Sequence, residues 1–248
     1  VTSQAGVVLE KLDNFVGQFG YAVPLDLGAK GSCQIGGNLA THAGGSRFVR
    51  YGPLRHAVVG IQAVLGDGTI VDSLNSVRRN NTGYDFSSLL VGSEGTLAVI
   101  TAASLACVQR PIAVQAAMLL CSSFDDVKKV LLLARERLGE NISALEMMDG
   151  AAVQLALSSL SHIRDPCPEV RSNFYVLAEA AGANTKLVNE AMDSFVESVL
   201  AAGVAENGVV SQDDSQCRDL WLSRESLLDA AMVASSAVFM YDVSLPLQ

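Results

Sequence analysis

The feature that most constrains this chain is a glycine-dense run, Pro24-Leu-Asp-Leu-Gly-Ala-Lys-Gly-Ser-Cys-Gln-Ile-Gly-Gly-Asn-Leu-Ala-Thr-His-Ala-Gly-Gly45. Gly28, Gly31, Gly36, Gly37, Gly44 and Gly45 all fall inside it. Glycine loses more conformational freedom on folding than any other residue, so such density must be offset by something the backbone gains. The gain is close approach of main chain to a neighbour, or positive φ angles that aim several N–H groups at one anionic group such as a pyrophosphate. Ser32, Asn38 and Thr41 add short polar side chains suited to a ribose or the edge of a flat ring. The spacing matches neither G-x-G-x-x-G nor G-x-x-x-x-G-K-[ST], so on spacing alone a glycine-rich surface loop without a ligand stays open. No period is sustained from Leu27 to Gly52, which predicts loops and turns.

A second run, Asn80-Asn-Thr-Gly-Tyr-Asp85 and then Val91-Gly-Ser-Glu-Gly-Thr-Leu-Ala-Val-Ile100, brackets Ser93 and Glu94 between Gly92 and Gly95. Read alone, it is a turn capped by Glu94 ahead of a strand. Around these runs the hydrophobic pattern sets the elements. Leu12, Phe15, Val16 and Phe19 recur at helical spacing and predict one face of a helix. Residues 57–65, the turn Gly66-Asp67-Gly68 and residues 69–72 predict a hairpin, with further strand at 97–100 and 103–108. Arg110-Pro111 marks a boundary. Beyond it, strands at 113–120, 142–147 and 174–179 alternate with helices that start after Ser123, at Gly150 and around Val188–Phe195. That alternation predicts an α+β layer, a sheet with helices packed on one face.

Composition narrows the function. The formal net charge is −9, which disfavours nucleic-acid partners; a basic face is what such binding requires. The five cysteines are odd in number and form no C-x-x-C pair, so neither a disulfide framework nor a zinc cluster is expected, and reduced thiols in an intracellular compartment are. No apolar run approaches the roughly 20 residues of a membrane span. No secretory leader is recognisable after Val1, where a natural start upstream stays open.

Together the two glycine runs, with Arg50-Tyr-Gly52 and Asn81-Thr-Gly-Tyr-Asp85, resemble the second half of the FAD domain in the vanillyl-alcohol oxidase/PCMH flavoprotein superfamily. The branch they resemble is that of the D-2-hydroxyglutarate and D-lactate dehydrogenases, and Ala144-Leu-Glu-Met-Met-Asp149 and Tyr241-Asp-Val-Ser-Leu-Pro246 extend the likeness along the chain. The resemblance implies an internal fragment: the second half of a PCMH-type FAD-binding domain at 1–110, then a partial α+β substrate or cap domain at 111–248 with an antiparallel sheet. It implies that Pro24, Gly31, Ser32, Gly36, Asn38, Thr41, Gly44, Gly45, Glu94, Gly95, Val99 and Ile100 lie near FAD, several of them acting through backbone. It also implies a mitochondrial setting, a small 2-hydroxyacid substrate and an electron acceptor that the sequence does not name; a homodimer stays open.

The chain departs from the family pattern in three places. The family's P-G-N-T-G-like pyrophosphate loop, expected upstream, is absent. So is its C-terminal half, where a zinc-like divalent metal, its ligands and the catalytic histidine are expected; His42, His56 and His162 read as structural or solvent-facing. Trp221-Leu-Ser-Arg-Glu225 matches a W-x-x-R-E segment whose arginine clamps the substrate carboxylate, a role that passes to Arg224, with an ordinary surface arginine as the alternative. Leu228 and Met240 stand where the family has a hydroxyl and a lysine for a second carboxylate. The resemblance thus implies hydride transfer from C2 of a D-2-hydroxyacid to flavin N5. The alternatives are a non-catalytic flavin-binding paralogue or scaffold and, further off, a nucleotide-binding module without redox chemistry.

Overall fold

The computed structural model describes residues 1–247, which divide into two compact units. The first comprises Val1–Ala113 with Ile142–Ala144 and Ala181–Asn184; the second comprises Val114–Asn141, Leu145–Ala180 and the residues from Thr185 onward.

The first unit runs β1 (Thr2–Gln4), α1 (Leu9–Gly17), β2 (Tyr21–Ala22), α2 (Ile35–Ala40), α3 (Phe48–Tyr51), β3 (Val58–Leu65), β4 (Ile70–Asp72), α4 (Phe86–Leu90), β5 (Ala98–Leu105) and β6 (Val108–Gln109). Its sheet has the order β1-β5-β3-β4, antiparallel throughout. The predicted hairpin forms: Gly68 takes φ 87°, and the Thr69 N–H donates to Asp67 Oδ1 at 2.9 Å. The two strands expected at 97–100 and 103–108 are one continuous strand, β5, followed by the separate two-residue β6. Helix α1 buries Leu9, Leu12 and Val16, whereas Phe15 and Phe19 are exposed and meet edge to face at 5.5 Å. The expected face was therefore rotated: the helix stops at Gly17, before Phe19, and its core stripe begins at Leu9.

The stretch from Leu27 to Gly52, expected as loops and turns, contains α2 and α3. Glycines at 36 and 37 make α2 a poor helix by propensity. Tertiary contacts impose it. Ile35 and Leu39, one turn apart, are 2% and 0% exposed, and burying each contributes about 1.5–3 kcal/mol. The first-turn donors find partners on the chain between β1 and α1, Ile35 N–H on Val7 O and Gly36 N–H on Ala5 O.

The second unit contains most of the run β7 (Ala113–Cys121), α5 (Phe124–Arg137), β8 (Ile142–Asp149), α6 (Gly150–Ser159), β9 (Phe174–Gly182), α7 (Thr185–Ala201), β10 (Asn207–Val210), α8 (Asp214–Glu225) and α9 (Leu227–Ala234). The sheet order is β10-β7-β9-β8, so β9 slots between β7 and β8 in a split β-α-β arrangement. Ser123 caps α5 by accepting from the Asp126 N–H, and Asp149 caps α6. Ala116, Met118, Leu120, Met148, Tyr175 and Leu177 share one buried cluster with Val153 of α6 and with Cys217 and Leu220 of α8. Helices α5 and α7 pack on each other. The clustered face thus carries α6, the helix expected at Gly150, together with α8, which is not among the expected helices.

Candidate functional site

In the first unit the two glycine runs are joined through the backbone. The Gly92 N–H donates to Leu39 O at 3.0 Å and the Glu94 N–H to Ala40 O at 2.9 Å, at the end of α2. Two non-glycine residues with left-handed backbone, His42 (φ 51°) and Glu94 (φ 49°), stand at this junction. Arg55 fastens it: its Nη2 donates to Val91 O at 3.1 Å and its backbone N–H to His42 Nε2 at 3.4 Å. Burial, then Arg55 and His56, push the His42 pKa below its ordinary value, which favours the neutral ring that accepts this bond.

The glycines of the run fall into two kinds. A Cβ on Gly36 would sit 2.6 Å from Ala5 Cβ, and one on Gly45 would sit 2.2 Å from Asp26 O. These two are glycines because the chain itself crowds them. A Cβ on Gly28, Gly37, Gly44 or Gly95 would meet nothing within 4 Å. Bare glycine beside open space is what a ligand lying against the backbone requires. Two further observations fit such a ligand. The N–H groups of Gly44, Gly45 and Gly95 have no protein acceptor among the described residues, and the Ser93 Oγ is buried without a partner.

The other residues named from the sequence divide into exposed and buried ones. Ser32 and Thr41 are exposed, their hydroxyls donating to Ala29 O and Gly37 O, which leaves the oxygens able to accept. Gly31 is exposed, Glu10 Oε2 standing 3.6 Å from where its Cβ would be. Pro24 and Asn38 are buried; Asn38 Nδ2 lies 3.5 Å from Cys33 Sγ. Val99 is 67% exposed, whereas Ile100, at 9%, belongs to the core and can reach a ligand only through its main chain. Gly37 and Ser93, both within the two runs, are not among the contacts that the resemblance implies. The missing signal was which glycine faces the rest of the chain.

In the second unit Arg224, near the end of α8, donates to Glu146 Oε2 from Nε at 2.9 Å and from Nη2 at 2.8 Å. On the same helix Trp221 Nε1 donates to Glu179 Oε2 at 2.7 Å. Leu228, on α9, and Met240 are both exposed. Among the described residues no group of three His, Cys, Asp or Glu stands where it would hold a metal, all five cysteines are free thiols, and no helix is long and apolar enough to cross a membrane.

The donor set fits a dinucleotide laid on main chain, and comparison with known proteins agrees. Residues 1–73 match the model of an FAD binding domain, and residues 110–248 match that of the C-terminal domain of FAD linked oxidases. The chain is 45% identical over 245 residues to the mitochondrial D-2-hydroxyglutarate dehydrogenase of Rattus norvegicus, covering 99% of this chain and 45% of that protein. It is 44% identical over 247 residues to a putative mitochondrial D-lactate dehydrogenase of Schizosaccharomyces pombe, covering 100% and 47%. The chain therefore spans about half the length of these curated relatives. Among solved structures, alkyldihydroxyacetonephosphate synthase shares the fold, with a TM-score of 0.72 at 18% identity over 93% of this chain and 43% of that one. With its family model matched over more than half of its length, the chain belongs to the FAD-linked oxidases.

Proposed function

We propose that this chain is the flavin-holding and substrate-facing part of an FAD-dependent dehydrogenase that oxidises a D-2-hydroxyacid to the 2-oxoacid. The observation that carries the reading is the backbone union of the two glycine runs at Leu39 and Ala40, each run also bringing open glycines and unpaired N–H groups of the kind that suits a pyrophosphate and a flat ring. Residues 1–110 form the flavin domain and 111–248 the substrate domain, a division supported by the two compact units. Gly31, Ser32, Thr41, Gly44, Gly45, Glu94, Gly95 and Val99 hold FAD from the exposed side, with Pro24, Gly36, Asn38 and Ile100 behind them fixing the backbone.

Bound flavin supplies the redox chemistry, accepting a hydride from C2 of the hydroxyacid at N5. The residues of this chain bind and orient. Arg224 takes the substrate carboxylate in two parallel charge-assisted bonds. In this reading the base and any divalent, zinc-like metal come from other parts of the protein. The names of the relatives support a mitochondrial setting and a substrate of the 2-hydroxyglutarate or lactate class. The replacement of hydrogen-bonding groups by Leu228 and Met240 favours a monocarboxylate over a dicarboxylate within that class, and a non-catalytic flavin protein as the second reading.

The whole protein that carries this chain is expected to be yellow when purified and to bleach anaerobically with D-lactate more readily than with D-2-hydroxyglutarate. Colourless protein sinks the flavin assignment. Stable colour that neither acid bleaches selects the non-catalytic reading.

A further inference from the structure

Helix α8 is held to its sheet by two carboxylates from adjacent strands. Trp221 donates to Glu179 on β9 and, three residues on, Arg224 donates to Glu146 on β8. Residues three apart share a helix face, and the two-residue spacing of strands puts Glu146 with Met148, and Glu179 with Tyr175 and Leu177, on the clustered side. Glu179 is 1% exposed. Two such contacts at i and i+3 fix the rotation of α8 about its axis, and with it the direction of Arg224.

The geometry of the second contact is informative. A guanidinium offers two flat edges, Nε–Nη2 and Nη1–Nη2. Both bonds from Arg224, at 2.9 and 2.8 Å, converge on the single oxygen Oε2 and use the Nε–Nη2 edge. The Nη1–Nη2 edge is the one that takes a carboxylate end-on, and Nη1 has no partner among the described residues. The Arg224 side chain is 39% exposed, so that edge is reachable. Had Glu146 bridged Nη1 and Nη2, it would occupy the place of a ligand.

We propose that Glu146 is a positioning residue that grips Arg224 by its inner edge and presents the outer edge to the carboxylate of the substrate. This rests on the reading of Arg224 as the carboxylate clamp. The neighbouring anion weakens the pull of Arg224 on a second carboxylate, and the loss is offset because a flexible arginine no longer has to be ordered when substrate binds.

The test uses the whole protein, its flavin content, and KM and kcat with whichever of D-lactate and D-2-hydroxyglutarate bleaches the wild-type flavin. Glu146→Ala is expected to raise KM about 10- to 100-fold, with kcat and flavin content within about twofold. Glu146→Gln keeps an accepting oxygen in place and is expected to recover most of that loss. Glu146→Asp retracts the acceptor by one methylene and is expected to behave like the alanine variant, so the aspartate and glutamine variants decide the matter if the alanine variant does not fold. An unchanged KM in Glu146→Ala beside a raised KM in Arg224→Ala overturns the positioning role and leaves the clamp standing. A KM that falls in Glu146→Ala also overturns it, showing that Glu146 competes with substrate. An unchanged KM in Arg224→Ala, or a flavin bleached by neither acid, sinks the clamp itself and the positioning role with it.

Discussion

The surface around the two glycine runs and the α8 wall of the second unit are built by opposite means. The first is made of main chain: glycines without side chains, N–H groups without protein acceptors, and runs stitched by Gly92 and Glu94 onto the carbonyls of Leu39 and Ala40. The second is made of side chains, Trp221 on Glu179 and Arg224 on Glu146, drawn from positions 42 and 78 residues apart. A backbone-built surface tolerates changes of side chain and fails when a Cβ appears in the wrong place. A side-chain-built wall does the reverse.

The largest effect that would sharpen this contrast is at Gly45. Its Cβ would fall 2.2 Å from the Asp26 carbonyl oxygen, and retreat is blocked because the Ser46 N–H donates to that same oxygen at 3.2 Å. Asp26 is in turn paired with Lys30 and Arg47. Gly45→Ala is expected to lose about 3 kcal/mol in urea unfolding. Gly44→Ala, next door but facing open space, is expected to stay within about 0.5 kcal/mol of wild type. Equal losses at the two positions would break the division of the glycines into packed and open.

On the α8 wall the counterpart is Trp221→Phe, which preserves the ring in the cluster and removes the donor to Glu179. Withdrawing one N–H from a buried carboxylate is expected to cost about 2 kcal/mol. A Trp221→Phe protein as stable as wild type would show that packing alone seats the helix.

The two regions also differ in how far the sequence foretold them. Glycine density points to the first surface because an entropic cost repeated at six of 22 positions must be offset by something, and Gly92 and Gly95 repeat the signal upstream of a strand. What the density could not say is which glycine faces where. At Gly36, an expected contact, Ala5 by itself requires a glycine; at Gly37, which carries no separate expectation, the outer side is open. Helix α2 was missed for a related reason: propensity argued against it, and the acceptors that seat it, Val7 O and Ala5 O, lie some 30 residues away in the chain. In the second unit β7, β8, β9, α5, α6 and α7 are legible from period and from the Ser123 cap, since those signals are local, whereas β10, α8 and α9 are not among the expected elements. Glu146 carried no local signal, because an acidic residue on a strand becomes meaningful only when an arginine on a distant helix reaches it.

Gly37→Ala separates the cradle from its own stability. Alanine in a helix is favoured over glycine by about 1 kcal/mol, and nothing lies within 4 Å of the new Cβ, so unfolding is expected to need slightly more urea. Flavin retention after dialysis is expected to fall at the same time, because that methyl projects where a ligand would lie. Stability and retention moving together, in either direction, would show that the open side of Gly37 is plain solvent.

The smallest effect is expected at His42, whose ring, like the Arg55 guanidinium, is a side chain that matters to the backbone-built junction. Its left-handed φ of 51° is uncommon for a residue with a Cβ and better tolerated by asparagine. Its neutral ring accepts the Arg55 N–H, and burial together with Arg55 and His56 depresses its pKa below 6.5. A pKa depressed in the fold means that the unfolded chain takes up the proton first. The contribution of His42 is therefore present above about pH 6.5 and is lost as pH falls through the lower, folded value. His42→Asn is expected to gain about 0.5 kcal/mol at pH 8 from the relieved backbone. It is also expected to flatten the decline in stability as pH falls below about 6.5, where wild type loses this term. Parallel pH profiles for the two proteins would show that the junction is held by its main-chain bonds alone, and would extend the backbone-built description to the whole of the surface.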